Sequence, residues 1–374
     1  MTAAHTPRVL LAVTFYNGRS FAERTLSSIA SLAHDGFDLD VLVLDDASPE
    51  PGFSDYLASL SADVGATYYR SPRNLGIPRN VNLGLATALR LEYDYVVISN
   101  SDVIYAANSL EVMMKVAVAG DDLASVTAWS TNVDPYSLPN ATELFAETQE
   151  VSDRIGRVLE QTFGTETLDI PAGISFAMII PTRVLSAVGL MDPIFGRGYG
   201  EESDWSARAT SAGFRHVLAT GAFVYHAGRG STLAAGVVSG DEIANWANQR
   251  IVNHRSPMFR WNVDGFLASG AVEVAQSRAV TALVRSAADE SGYSLITAAR
   301  DWVDQSPEIV SVAIRSEVSE ICTAHWYGFV AEIDTVSADV EGDIRRYFGG
   351  RNPVYSNIRP PVWDVAGAAY PRSI

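Results

Sequence analysis

The stretch "FGRGYGEESDW", Phe195 to Trp205, sets three carboxylates, Glu201, Glu202 and Asp204, within four residues behind glycines at 196, 198 and 200. Acids this close raise one another's proton affinity, which suits a general base or a cation site. They also favour the positive end of a helix, so the same residues can open a helix with no chemistry attached. Asp45 and Asp46 follow an apolar run in "LVLDDASPE", and Asn100, Ser101 and Asp102 follow another in "YVVISNSDVIY". His226 ends a third in "FVYHAGRGST". One carboxylate with a sequence-distant imidazole makes a partial shell for Mg²⁺ or Mn²⁺ when phosphate oxygens supply the rest, so Asp102 and His226 are the candidate ligands. The plain alternative is a turn-capping acid and a structural histidine. Arg73 and Arg79 of "RNLGIPRNVNLG" are cations placed where a diphosphate could meet them.

The elements that must carry these residues alternate along the first part of the chain. Apolar runs at Arg8 to Thr14, Asp40 to Asp45, "TYY" and Tyr95 to Ser99 are separated by helix-period stretches at Phe21 to Ala33 and Arg79 to Arg90. Runs that are apolar throughout, rather than at every second residue, mean strands buried on both faces under crossover helices. The pattern predicts a doubly wound α/β fold, in which ligands gather at the carboxyl ends of the strands. The residues at those ends are Thr14 and Tyr16, Asp45 and Asp46, and Asn100 to Asp102. "ISFAMIIP" and "HVLATGAFVYH" add strands around a helix starting near Glu201. Beyond about residue 240 the pattern turns helical, with Leu267 to Ala288 and Val310 to Ile321 as predicted helices and a proline-punctuated tail.

A chain of 374 residues with 47% hydrophobic and 19% charged residues has the composition of a folded, soluble protein. Its formal charge of −17 disfavours nucleic acid and anionic lipid as partners. The single Cys322 excludes an intrachain disulfide and a cysteine zinc site, and fits a reducing compartment. No signal peptide or membrane-length apolar run is present, so the expected location is the cytoplasm. Asn140-Ala141-Thr142 forms a glycosylation sequon that, without a secretory signal, is read as chance.

From about Val9 to Thr232 these motifs, in this order, resemble the family-2 glycosyltransferases of the GT-A fold, including rhamnosyltransferase-like members. "TFYN", "LDDAS", "NLGIPRNVNLGL", "NSD", "AGISFAMIIPTRVLSAVGLMDPIF", "GYGEESDWSARATSAGF" and "VYHAGRGST" carry the resemblance. It implies a GT-A type mixed sheet with helices on both faces over residues 1–238, with a nucleotide half of about 1–130 and an acceptor half of about 131–238. A mainly helical extension follows over 239–374, packing on the catalytic domain or joining copies into a homo-oligomer. The implied activity is inverting transfer from a nucleoside-diphosphate sugar, UDP or dTDP first, to a carbohydrate or glycolipid hydroxyl. Thr14, Tyr16, Asp45, Asp46, Arg79 and Asn100 then meet the nucleotide, Asp102 and His226 hold the metal, and Glu202 is the base. Asn100 departs from the family's DxD motif, where an acid is expected. In a helix Glu201, Asp204 and Arg208 share one face, with Asp204 and Arg208 paired at i,i+4, and Glu202 lies about 100° away, free of a cation. Two other readings stay open: a degenerate module that binds sugar or partner without catalysis, and a sugar-nucleotide pyrophosphorylase.

Overall fold

The computed structural model describes residues 5–133, 135–138, 148–228 and 246–291, together with four short strands between 311 and 356. The sequon at Asn140, the "RGST" that follows Gly228 and the proline-punctuated tail lie outside the described residues.

β1 (Arg8–Phe15), β2 (Asp38–Asp45), β3 (Thr67–Arg70) and β4 (Tyr95–Asn100) pair in parallel in the order β3-β2-β1-β4. Between them run α1 (Arg19–Ala30), α2 (Phe53–Asp63) and α3 (Ile77–Arg90). Along β1, Val9, Leu11 and Val13 enter one core while Leu10 and Ala12 enter the other, so the continuous apolar run serves both faces of the sheet. The registers Thr14↔Leu44, Phe15↔Asp45 and Thr14↔Asn100 bring the ends of three strands to one edge.

The sheet then becomes mixed. β8 (Ala177–Pro181) runs antiparallel to β4 and to β6 (Leu123–Trp129), and β6 runs parallel to β9 (Arg215–His226). β5 (Val103–Tyr105) and β7 (Thr167–Ile170) pair antiparallel with β9, completing nine strands. Helices α4 (Ser109–Ala119), α5 (Gln149–Phe163), α6 (Thr182–Val188) and α7 (Glu201–Ser211) cover the remainder. This is the doubly wound mixed sheet of the GT-A type.

In the extension, α8 (Trp246–Arg255), α9 (Pro257–Ala268) and α10 (Ala271–Ser291) are helical as expected. The predicted helix over Val310 to Ile321 is corrected over Ser311–Ser316, and the rest of it lies outside the described residues. Ser311–Ser316 is a strand, β10, in a four-stranded sheet with β11 (Cys322–His325), β12 (Val330–Thr335) and β13 (Val354–Ser356). The reason is legible afterwards: Val310, Val312 and Ile314 alternate at period two with β-branched side chains. No described helix is long and apolar enough to cross a membrane.

Candidate active site

At the strand edge the two adjacent aspartates do different work. Asp45 is fully buried and accepts hydrogen bonds from the Ser48 amide at 2.8 Å, the Ser54 hydroxyl at 2.6 Å and the Tyr68 hydroxyl at 2.8 Å. Burial raises its pKa, but those hydrogen bonds outweigh it and hold the carboxyl below its ordinary value. The same burial and contact with Asp45 push the Tyr68 phenol up to about 12. Asp46 accepts the Leu75 amide at 2.6 Å and the Gly76 amide at 3.0 Å, so it fixes the turn leading into α3. Burial raises the pKa of Asp46 despite these two amides, and the Asp45 charge adds to the rise.

The other strand-end groups frame this pair. Thr14 reaches the Ser99 carbonyl at 3.4 Å, and Tyr16 is half-buried just beyond β1. Asn17 follows at a left-handed φ of 59°, its amide donating to the Ser48 hydroxyl at 2.8 Å. The loops after β1 and β2 are thereby tied together. Arg79 stands exposed on the first turn of α3, as Arg73 does just before it.

β5 and β9 build the second part of the site. Their register, Val103↔His226, lays Asp102 beside the end of β9, where the Ala227 amide donates to the Asp102 carbonyl at 2.9 Å. His226 Nε2 lies 3.2 Å from Asp102 Oδ1 and 3.2 Å from Asn100 Nδ2. The backbone of His226 is clamped by Thr131, whose hydroxyl accepts its amide at 3.0 Å and donates to its carbonyl at 2.8 Å. The Phe176 ring lies 5.6 Å from the imidazole, whose Nδ1 is buried without a hydrogen-bond partner among the described residues.

The glycine turn delivers the third part. Gly196, Gly198 and Gly200 take φ of 64°, 130° and 108°, and even Tyr199 sits at 69°. Left-handed backbone in such succession is open to glycine at low cost and strained for tyrosine. A Cβ on Gly76 would lie 2.3 Å from the Gly196 carbonyl oxygen, so this turn packs directly on the turn that Asp46 holds.

α7 begins at once after the turn and divides its acids. Asp204, 1% exposed, accepts Arg208 Nε at 2.9 Å, and Arg208 also donates to the carbonyls of Val188 at 2.6 Å and Leu190 at 2.8 Å. Glu201 does not enter that pairing. It is 4% exposed with Oε2 unpartnered among the described residues, and burial, then the Glu202 charge, pushes its pKa up to about 8. Glu202 keeps partial solvent access, and its Oε2 accepts the Ser175 amide at 2.7 Å and the Ser175 hydroxyl at 2.5 Å. Burial raises its pKa, with Ser175 and the nearby His226 working against that rise.

The structure thus gathers Asn100, Asp102 and His226 in one cluster, with Glu202 close enough to feel His226. Thr14, Asp45, Asp46 and Asn100 share the strand edge, while Arg208 faces away into the carbonyls behind α7. Sequence reasoning gave no role to Ser175, Thr131 or Phe176. Only Ser175 carried a signal, as the polar residue of "AGIS" just before a buried strand.

Residues 11–178 match the family model described as Glycosyl transferase family 2. The motif resemblance holds over this segment. It contains the strand edge, Asp102 and Ser175, while Glu202 and His226 lie beyond its end. No curated protein matches the chain. Solved structures similar to it include GalNAc-T7 with UDP, GalNAc and Mn²⁺, at 14% identity, covering 60% of this chain with a TM-score of 0.45. This chain spans 44% of the length of that one. Another is the mannosyltransferase PcManGT from Pyrobaculum calidifontis in complex with GDP-Man and Mn²⁺, at 19% identity, 80% coverage of each chain and a TM-score of 0.45.

Proposed function

We propose that the protein is an inverting glycosyltransferase that moves a sugar from a nucleoside-diphosphate sugar, UDP- or dTDP-linked, to a hydroxyl of a carbohydrate or glycolipid. The observation that carries this reading is the placement of a partly accessible carboxylate of raised proton affinity, Glu202, near the Asp102–His226 pair, on a fold whose first half matches family 2. Residues 1–238 would form the catalytic unit and 239–374 its extension.

Glu202 takes the proton of the acceptor hydroxyl as that oxygen bonds the anomeric carbon. The bond from that carbon to the diphosphate oxygen breaks on the opposite side, the diphosphate leaves with the electron pair, and the configuration inverts. Ser175 holds one carboxylate oxygen by two hydrogen bonds and leaves Oε1 to receive the proton. The raised pKa makes Glu202 a stronger base than an ordinary carboxylate, with the trade that it is unprotonated only at higher pH. Asp46 acts on the nucleotide through the turn it holds, whereas Thr14, Tyr16 and Arg79 are positioned to touch it.

The donor set fits a hard divalent cation, Mg²⁺ or Mn²⁺. Asp102 Oδ1 and His226 Nε2 converge at 3.2 Å, and carboxylate oxygen with imidazole nitrogen suits such ions. No group of three or more His, Cys, Asp or Glu side chains among the described residues makes a shell by itself, so diphosphate oxygens would fill the remaining positions. When bound, the ion would neutralise charge on the leaving diphosphate.

The test is product stereochemistry with UDP- and dTDP-sugars, read by NMR, with and without chelator. An inverted anomeric centre and loss of turnover on chelation are expected. Asp102→Ala should abolish metal-stimulated donor binding. Retention of configuration, or full activity after exhaustive chelation, contradicts the corresponding part of the reading.

A further inference from the structure

The C-terminal extension packs against the segment that carries Glu202. α8 sits against both ends of the segment that carries Glu202. At one end Asn248, 7% exposed, uses its side-chain amide to bond the Phe195 carbonyl and the Gly198 carbonyl, both at 2.9 Å. At the other end Arg255 Nη1 bonds Asp192 Oδ2 at 2.8 Å and Asp204 Oδ1 at 3.1 Å. Between these anchors, Val252 is fully buried.

We propose that Asn248 is a positioning residue for the base: it holds the left-handed turn 196–200 in the one shape that sets Glu202 onto Ser175. The physical argument rests on the turn's composition. Three glycines lose more conformational freedom on ordering than any other residues, and Tyr199 at φ 69° resists its conformation, so the turn's own bond from the Gly198 amide to the Phe195 carbonyl, at 3.1 Å, works against a large ordering cost that an outside anchor helps to offset. Its carbonyls at 195 and 198 are bonded in a buried setting by the one Asn248 amide, which at Phe195 adds to the Gly198 amide of the turn itself. The fit is close: a Cβ on Gly200 would sit 3.4 Å from Asn248 Cβ and 3.1 Å from the Phe195 ring. Arg255 adds a charge-assisted tie to Asp204, two residues after Glu202 on the same helix. The extension therefore braces the catalytic unit from outside, and the role rests on Glu202 being the base.

The experiment compares Asn248→Ala, Asn248→Asp and Val252→Ala in the full chain. Asn248→Asp keeps the size but turns two donors into acceptors facing two carbonyls. Both Asn248 variants should lower kcat by roughly 10–100-fold, as displacement of a catalytic group does, with donor KM within about twofold of wild type. Loosening the turn also lets Glu202 relax toward water, so the acid limb of the kcat–pH profile should move to lower pH. Val252→Ala, which weakens α8 packing without touching the turn's carbonyls, should lower the melting temperature and leave that limb in place. An unchanged kcat and pH limb in both Asn248 variants, or the same shift in Val252→Ala at equal loss of melting temperature, overturns the proposal. Failure of the underlying reading is distinguishable, because Glu202→Gln would then remain active.

Discussion

The strand edge and the start of α7 are both acidic and buried, yet they are built on opposite principles. At the edge every oxygen of Asp45 and Asp46 has a donor, from the loops at Ser48 and at Leu75 and Gly76, from Ser54 of α2 and from Tyr68 of β3. At α7, among the described residues, Glu201 has an orphan oxygen and Glu202 spends only Oε2, both with proton affinity raised by burial, as that of Asp46 is. Satisfied carboxylates make a rigid frame, and unsatisfied ones keep capacity for chemistry at a cost in stability. The contrast separates scaffold from site more sharply than charge or burial does.

The largest expected effect tests the reactive side. Glu202→Gln should cut turnover by roughly 10²–10⁴-fold with donor affinity unchanged by calorimetry, the usual worth of a general base. In the wild-type protein the acid limb of turnover should lie above the ordinary carboxylate range, since burial raises this pKa. A limb at or below that range would remove Glu202 as the base.

Next in size is the frame. Asp45→Ala leaves Ser48, Ser54 and Tyr68 without their acceptor and should cost about 2–4 kcal/mol in urea denaturation. Because the folded pKa of Asp45 is lowered, its contribution is full above the unfolded value and lost as pH falls through the folded one. An Asp45→Ala variant as stable as wild type at neutral pH would show that the hydrogen bonds order nothing.

The third effect has the opposite sign. Glu201 is raised from 4.5 to about 8, so its contribution is fully present below pH 4.5 and lost as pH rises through 8. Glu201→Gln removes that loss and should stabilise the protein at pH 8 relative to pH 4.5. If the two proteins show parallel pH–stability curves, Glu201 titrates normally and the two regions are less different than their geometry.

The chain by itself determined the frame. Unbroken apolar runs of strand length can only be buried on both faces, so the parallel strands, and the polar residues at their ends, followed from local composition. The Asp204–Arg208 pair was likewise legible, because i,i+4 spacing is enforced by the helix itself. Tertiary structure decided everything that depends on separate segments meeting. Asp102 reaches His226 only through the β5–β9 register, Glu202 reaches Ser175 only when α7 packs beside the entry to β8, and Asn248 reaches the glycine turn from outside the sheet altogether. Hydrophobic periodicity reports which face of an element is buried but not which partner covers it. A contact between distant segments therefore leaves no local trace until the chain has closed on itself.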